Sequence, residues 1–352
     1  MDITPYLKLM VDKSASDLFF TVGAPVKVKL EGQATSVGKT ELTPELVRGA
    51  VHGIMNEPQK AIFEEELELD FAISMADGSA RFRVNVFRQR GEMAMVLRLI
   101  PSTIPTIEQL GVPEILKELI MHKRGLLLMV GATGSGKSTT LASMIDHRNE
   151  TQAGHILSIE DPVEFYHPNK RSIVNQREVG VDTKSYARAL KSSLREAPDV
   201  ILIGEIRDRE TMEAALELAN TGHLAISTLH ANNANQAMER VINMFPEALH
   251  KQLYMDLSMN LRAVISQRLV PDVRGKRCAA VEIMVSTPHI SELILKGDIG
   301  AIKEAMNNSG AKGMQTFDMS LYNLYQENRI TLEEALNNAD SRTNLEAKIN
   351  FG

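Results

Sequence analysis

The sequence Gly131-Ala132-Thr133-Gly134-Ser135-Gly136-Lys137-Ser138 decides the fold class of this 352-residue chain. It matches in full the pattern of Gly, four variable residues, Gly, Lys and then Ser or Thr. A strand-like apolar run at residues 126–130 precedes it, and a helical pattern at residues 138–147 follows it. A strand, a glycine-rich loop and a helix N-terminus in this order bring backbone N–H groups close to a phosphate. We therefore expect a P-loop nucleotide-binding domain of the α/β class.

The residue types in this loop predict how ATP and Mg²⁺ bind. The glycines let the backbone wrap closely around the β-phosphate, because they carry no side chain. Lys137 is expected to reach the β- and γ-phosphates, and the hydroxyl of Ser138 is expected to bind Mg²⁺. The complete set of predicted contacts in this loop is Gly131, Ala132, Thr133, Gly134, Ser135, Gly136, Lys137, Ser138 and Thr139.

Three further strand-like runs are each followed by a polar residue. The runs cover residues 155–159, 200–204 and 224–229, and the residues that follow them are Glu160, Glu205 and His230. Ligands of an open parallel sheet bind beyond the carboxyl ends of its strands, so we expect these side chains near the phosphate loop. Glu205 is predicted to orient or deprotonate the attacking water, and Glu160 to hold Mg²⁺ through water or assist the base. His230 would sense the γ-phosphate, and His223, before the same run, is a further candidate. Each could instead be a strand-end charge, a cap or a structural histidine.

A second cluster of charge precedes the phosphate loop. Five arginines, one acid and no lysine occupy residues 81–98, the arginines being Arg81, Arg83, Arg88, Arg90 and Arg98. A guanidinium is planar and always charged, which suits it to clamping phosphate. We expect Arg81, Arg83 and Arg98 to reach a nucleotide as arginine fingers. The alternative is a solvated strand face that pairs with the acidic residues 64–70.

The rest of the pattern predicts two domains joined by a linker. Residues 1–100 are typical of a small α+β unit, with a helix at 4–13, a helix start at Thr43-Pro44-Glu45 and a hairpin turn at Asp77-Gly78. Three prolines in residues 101–113 indicate a linker. Residues 114–352 begin with strands that alternate with helices, which predicts a parallel sheet. After about residue 245 we expect a largely helical region.

Composition excludes several classes of protein. The net charge of −6 and pI of about 5.9 argue against nucleic acid as a partner. The single cysteine, Cys278, excludes an internal disulfide framework. The N-terminus lacks the pattern of a signal peptide, and the apolar run at 125–132 is shorter than the ~20 residues of a spanning helix. We expect a cytoplasmic protein that does not insert directly into a membrane.

Several motifs together resemble the secretion ATPases of type II secretion and type IV pili, and specifically their retraction branch, PilT and PilU. They are Ala-Ser-Asp-Leu at 15–18, Arg-Phe-Arg-Val-Asn-Val-Phe-Arg-Gln at 81–89, the phosphate loop, Ile-Glu-Asp-Pro-Val-Glu-Phe at 159–165, Asp-Val-Ile-Leu-Ile-Gly-Glu-Ile-Arg-Asp at 199–208 and Thr-Gly-His-Leu-Ala-Ile-Ser-Thr-Leu-His-Ala at 221–231. The resemblance implies a homo-hexameric ring of subunits, each with a PAS-like N-terminal domain and a RecA-like C-terminal domain. ATP would lie between these domains, with Glu205 as the catalytic acid and Glu160 as the acid of the family's Asp box.

Two features favour PilU within this branch. Phe19 and Phe20 stand where PilT-like chains usually place His and small residues, and residues 301–308 depart from the C-terminal motif of PilT. The resemblance then implies an accessory retraction motor that works with a PilT-like partner on an inner-membrane platform protein, peripherally at the pilus base. The alternatives are PilT itself and a regulatory ring subunit that generates little force. An extension or secretion ATPase and a DNA translocase of RecA type are more distant rivals.

Overall fold

The computed structural model describes residues 1–30, 33–101 and 103–351, the side chain of Phe351 excepted. The chain divides into two compact units. Unit 1 comprises Met1–Thr103 together with the short segments Val163–Tyr166 and Gly180–Asp182. Unit 2 comprises the rest of the chain from Ile104 onward. Each unit has a sheet of its own.

Unit 1 is built on a six-stranded antiparallel sheet with the order β3-β2-β1-β6-β5-β4. Its elements are α1 (Thr4–Asp12), β1 (Asp17–Thr21), β2 (Pro25–Leu30), β3 (Gln33–Glu41), α2 (Pro44–Ile54), α3 (Glu57–Glu66), β4 (Glu68–Ser74), β5 (Arg81–Gln89) and β6 (Glu92–Ile100). The predicted helix start is confirmed, because the Thr43 side chain accepts a hydrogen bond from the N–H of Leu46. The predicted hairpin is confirmed as β4 and β5.

Unit 2 contains a seven-stranded sheet with helices packed against it. Its elements are α4 (Ile107–Leu110), α5 (Ile115–Ile120), β7 (Gly125–Val130), α6 (Lys137–Thr151), β8 (Gly154–Glu160), β9 (Ser172–Glu178), α7 (Tyr186–Ser193), β10 (Val200–Glu205), α8 (Arg209–Asn220), β11 (Leu224–Leu229), α9 (Ala234–Asn243), α10 (His250–Asn260), β12 (Leu261–Pro271), β13 (Arg277–Val285), α11 (Pro288–Lys296), α12 (Ile302–Asn307), α13 (Phe317–Gln326), α14 (Leu332–Asn338) and α15 (Arg342–Phe351). The strand order is β13-β12-β7-β11-β10-β8-β9, and only the β12–β13 pair is antiparallel. The α/β class is confirmed.

The region after residue 245 is largely helical, as expected, but it also contains two strands that were not expected. Strands β12 and β13 form a hairpin there, and β12 pairs with β7 as the second strand from one edge of the sheet. Residues 263–267 are buried, so this strand shows neither the alternation of a half-exposed strand nor a helical stripe. Strand β9 was also not predicted, and the four terminal helices α12–α15 do follow the hairpin.

The segment at 101–113 also differs from a plain linker. Residues 107–110 form the short helix α4, although three prolines surround it. Thr106 and Gln109 exchange side-chain to backbone hydrogen bonds as a capping box, and Gly111 ends the helix in the left-handed region at φ 63°. Local capping therefore outweighs the effect of the prolines, none of which lies inside the helix.

Candidate functional site

The phosphate loop joins the buried strand β7 to α6. Gly131 has φ 154° and Gly136 has φ 85°, which few other residues adopt. A Cβ at Gly131 would lie 2.5 Å from Ser135 Oγ, so a side chain there would fill the space inside the loop. Gly136 is the N-cap of α6 and provides no side-chain cap, which leaves the first N–H groups of the helix for an anion.

Lys137 is the charged group of this loop. It is 8% exposed, and its Nζ donates to the carbonyls of Gly131 at 2.8 Å and Ala132 at 2.9 Å. Ser138 follows it in the first turn of α6, and the buried Ser135 Oγ has no hydrogen-bond partner within the described residues. A buried ammonium, the N–H groups at the start of a helix and an unpaired hydroxyl are the groups that a phosphate would satisfy. The loop therefore fits a nucleotide phosphate.

Glu205 ends β10 and meets two basic groups. Its Oε2 lies 3.5 Å from His230 Nε2, and its Oε1 forms an ion pair with Arg207. The carboxylate of Glu205 is 16% exposed, and its hydrogen bond raises the pKa of the Arg207 guanidinium. Sequence reasoning missed Arg207, although it stands two residues after Glu205 in a motif that had been singled out.

Glu160 ends β8, the strand beside β10. Its Oε1 accepts a hydrogen bond from Gln176 Nε2 at 3.4 Å. A Cβ on Gly204 would lie 2.6 Å from the hydroxyl of Tyr186 and 3.2 Å from Cα of Glu160. Burial raises the pKa of Tyr186, and the charges of Asp161, Glu205 and Glu160 raise it further. Tyr186 is thus a neutral hydroxyl among the acids of this edge, and sequence reasoning did not identify it.

The order of the strands brings four predicted side chains to one edge. Strands β7, β11, β10 and β8 are consecutive and parallel, so Lys137, His230, Glu205 and Glu160 follow their carboxyl ends in that order. His223 lies at the opposite end of β11, where its Nδ1 is 3.2 Å from the carbonyl oxygen of Leu218. The structure therefore separates His223 from the edge that bears the phosphate loop.

The predicted arginine fingers lie in unit 1. Arg83 pairs with Asp70 at 3.4 Å, in agreement with the predicted pairing to the acidic stretch. Arg98 Nε pairs with the buried Asp17 at 2.8 Å, although two thirds of the Arg98 side chain is exposed. Arg81 carries a buried Nε that has no partner within the described residues. Their role towards a nucleotide stays a prediction.

The described residues limit how the protein can bind a metal or meet a membrane. No group of three or more His, Cys, Asp or Glu side chains there could hold a metal ion. A Mg²⁺ bound by one serine hydroxyl and the phosphates of ATP needs no such group. Within the same residues, no helix combines the length and apolar character that crossing a membrane requires.

Comparison with known proteins decides the family. The model of the family "Type II/IV secretion system protein" matches residues 2–344. This chain belongs to that family. It is 53% identical to the type IV pilus ATPase PilU of Pseudomonas aeruginosa, over 100% of the chain and 92% of PilU. It is 44% identical to the retraction ATPase PilT of the same organism, over 95% of the chain and 97% of PilT.

Solved structures agree with this assignment. A crystal structure of the pilus retraction motor PilT with bound ADP has a TM-score of 0.91 and 41% identity, and covers 98% of this chain and 99% of its own. The ATPase DotB of Legionella pneumophila has a TM-score of 0.75 and 27% identity over 94% of this chain and 92% of its own. The chain is thus a member of the type IV pilus retraction ATPases, as its motifs indicated, and the preference for PilU within them is confirmed.

Proposed function

We propose that this protein is an ATP-hydrolysing subunit of a motor for type IV pilus retraction, of the accessory PilU type that works with a PilT-like partner. One observation carries the proposal. The chain is similar to PilU over its whole length, and its phosphate loop and Glu205 lie at the same edge of one sheet, at the ends of β7 and β10. An inactive relative would be expected to have lost one of these parts.

Each residue of the edge has a task in the proposed reaction. The N–H groups of the loop and Lys137 hold the phosphates, and Ser138 holds Mg²⁺, with Glu160 assisting through water. Glu205 orients the attacking water and accepts its proton. His230 lies 3.5 Å from Glu205, so it can report the state of the γ-phosphate to the acid. Mg²⁺ held by these residues would supply positive charge that offsets the charge of the phosphates.

The assembly completes the proposal. Six copies would form a ring. Unit 1 would be PAS-like and unit 2 RecA-like. Arg81, Arg83 and Arg98 of a unit 1 would place positive charge beside the nucleotide bound by a unit 2. Domain closure on ATP and opening on product release would then drive a platform protein of the inner membrane and withdraw pilin. The protein would work at the cytoplasmic side of the pilus base, with no nucleic acid partner.

ATP turnover by the purified protein tests the reaction. Lys137→Ala is expected to lower turnover by about 10²–10³-fold, because it removes a cation from the transferring phosphoryl group. Glu205→Gln is expected to lose turnover and keep nucleotide affinity, since it changes the base and leaves the loop. Glu210→Gln, at an exposed acid early in α8, is the matched control and should turn over as the wild type does. Full turnover by Glu205→Gln would remove that residue from the base role.

The assignment to PilU rather than PilT needs a cellular test. PilT remains the second candidate, because a PilT structure overlays on 98% of the chain. The gene would be introduced into Pseudomonas aeruginosa strains that lack PilU, PilT or both, and twitching would be measured. An accessory motor restores twitching in the first strain only. Restoration in the strain that lacks both would show an independent motor, and failure in all three with intact ATP turnover would refute the motor role in this host.

A further inference from the structure

Gln267 lies against the phosphate loop, although no sequence motif contains it. It stands in β12, is 2% exposed, and donates from Nε2 to the carbonyl oxygen of Ser135 at 2.9 Å. Its Oε1 accepts from Thr140 Oγ1, in the first turn of α6, at 2.8 Å. Its own carbonyl would lie 2.5 Å from a Cβ on Gly131. One residue of the neighbouring strand therefore lies close to the start of the loop, bonds to Ser135 within it and bonds to the first turn of the helix that follows.

The two side-chain bonds fix the orientation of the amide. The carbonyl oxygen of Ser135 can only accept a hydrogen bond, so the end of the amide that faces it is the NH₂ group. The other end of the amide is the oxygen, which accepts the hydrogen bond from the Thr140 hydroxyl. A flipped amide would place oxygen against oxygen at Ser135 and leave two buried polar groups without partners, which is costly.

The bond to Ser135 has a consequence for the next residue. In a trans peptide the carbonyl and the following N–H point in opposite directions. Because Gln267 holds the Ser135 carbonyl towards β12, the N–H of Gly136 points away from that strand. Position 136 also has no room for a side chain, because a Cβ added to Gly136 would lie 2.7 Å from Gln267 Nε2. The orientation of this loop N–H is thus set from the sheet.

We propose that Gln267, held by Thr140, is the positioning residue that orients the Ser135–Gly136 peptide of the phosphate loop towards the nucleotide phosphates. The inference deepens the proposed function and rests on it. Loop N–H groups contact the phosphates in ATP and in the transition state alike. Loss of the bond therefore raises KM and the dissociation constant more than it lowers kcat.

Binding of the fluorescent nucleotide methylanthraniloyl-ADP tests this role. Gln267→Met keeps the length of the side chain and cannot make either bond, and we expect it to weaken binding about tenfold or more. Thr140→Val should weaken binding by a smaller factor, since it frees the amide to rotate, and Thr140→Ser should restore affinity. Gln315→Met is the matched control, because Gln315 Nε2 donates to the Val281 carbonyl of β13 at 2.7 Å and not to the loop. It should bind as the wild type does.

The readouts separate positioning from a merely structural role. A structural defect lowers the active fraction, so it lowers kcat and the melting temperature with KM unchanged. Wild-type affinity in Gln267→Met, or equal impairment of Thr140→Ser and Thr140→Val, would overturn the inference. If Gln267→Met does not fold, the Thr140 pair decides alone. If the wild-type protein binds no nucleotide, the proposed function fails, whereas wild-type binding with an unaffected Gln267→Met refutes only this inference.

Discussion

Strands β7 of unit 2 and β5 of unit 1 place functional groups in opposite ways. All six residues of β7 are buried, so its chemistry can appear only at its end, in the phosphate loop. In β5, Phe82, Val84 and Val86 are buried, while the residues that alternate with them are partly exposed and include Arg81 and Arg83. A strand covered on both faces carries function at its end, and a half-covered strand can carry it along one face. The first two of four predictions test this contrast, and the other two test the packing of unit 2.

The largest expected effect is on ATP turnover, and it depends on whether Arg81, Arg83 or Arg98 contacts the nucleotide. Substitution of Arg81, Arg83 or Arg98 by Ala one at a time is expected to lower ATP turnover by ~10³-fold or more for the residue that serves as a finger. Arg88→Ala is the control, because Arg88 pairs with Glu64 at 2.6 Å and lies over the Phe63 ring. Unchanged turnover in all three variants would show that the arginines of β5 and β6 form only a solvated face.

The two strands should differ in what a truncation costs. Leu128→Ala in the middle of β7 leaves a cavity in the core and should lower the free energy of unfolding by about 2–5 kcal/mol. Asn85→Ala on the open face of β5 removes only an exposed hydrogen bond to Asp70 and should cost about 1 kcal/mol or less. Urea denaturation measures both, and equal costs would contradict the contrast.

Gly204 tests how closely the strand ends are packed. Gly204→Ala would bring a methyl group to 2.6 Å from the Tyr186 hydroxyl, so strands β8 and β10 must shift near Glu160 and Glu205. We expect a loss of about 1–3 kcal/mol in stability together with reduced turnover. Addition of Tyr186→Phe removes the nearest atom and should restore part of both. No recovery in the double variant would assign the effect to the backbone contacts alone.

His167 gives the smallest effect and one that depends on pH. It is buried in unit 2, and burial lowers its pKa to about 4. An unfolded histidine has a pKa of about 6.5, so the unfolded state binds more protons between the two values. Stability should therefore fall as pH falls from about 6.5 towards 4, by about 2 kcal/mol at pH 5. His167→Leu should flatten that part of the curve of unfolding free energy against pH, and an unchanged slope would contradict the assignment.

Local patterns made most of the site predictable, and distant contacts made the rest unpredictable. The phosphate loop and the polar residues after β8, β10 and β11 stand in continuous motifs, so each could be read in place. Gln267 could not be, since it bonds to Thr140 from 127 residues away in the chain. Arg207 could have been found, because an arginine so near Glu205 is an evident ion-pair partner.

The amino-acid sequence by itself determined the nucleotide loop, the alternation of buried and charged residues in β5 and the family of the protein. These features depend on residue type and spacing within short stretches of sequence. There the conformational freedom of glycine, the period of buried residues and helix capping determine the local structure. Only the tertiary structure decided that β12 lies beside β7 and that Gln267 reaches the loop. Strand neighbours are chosen by hydrogen bonding and packing between remote segments, and no local pattern encodes that choice.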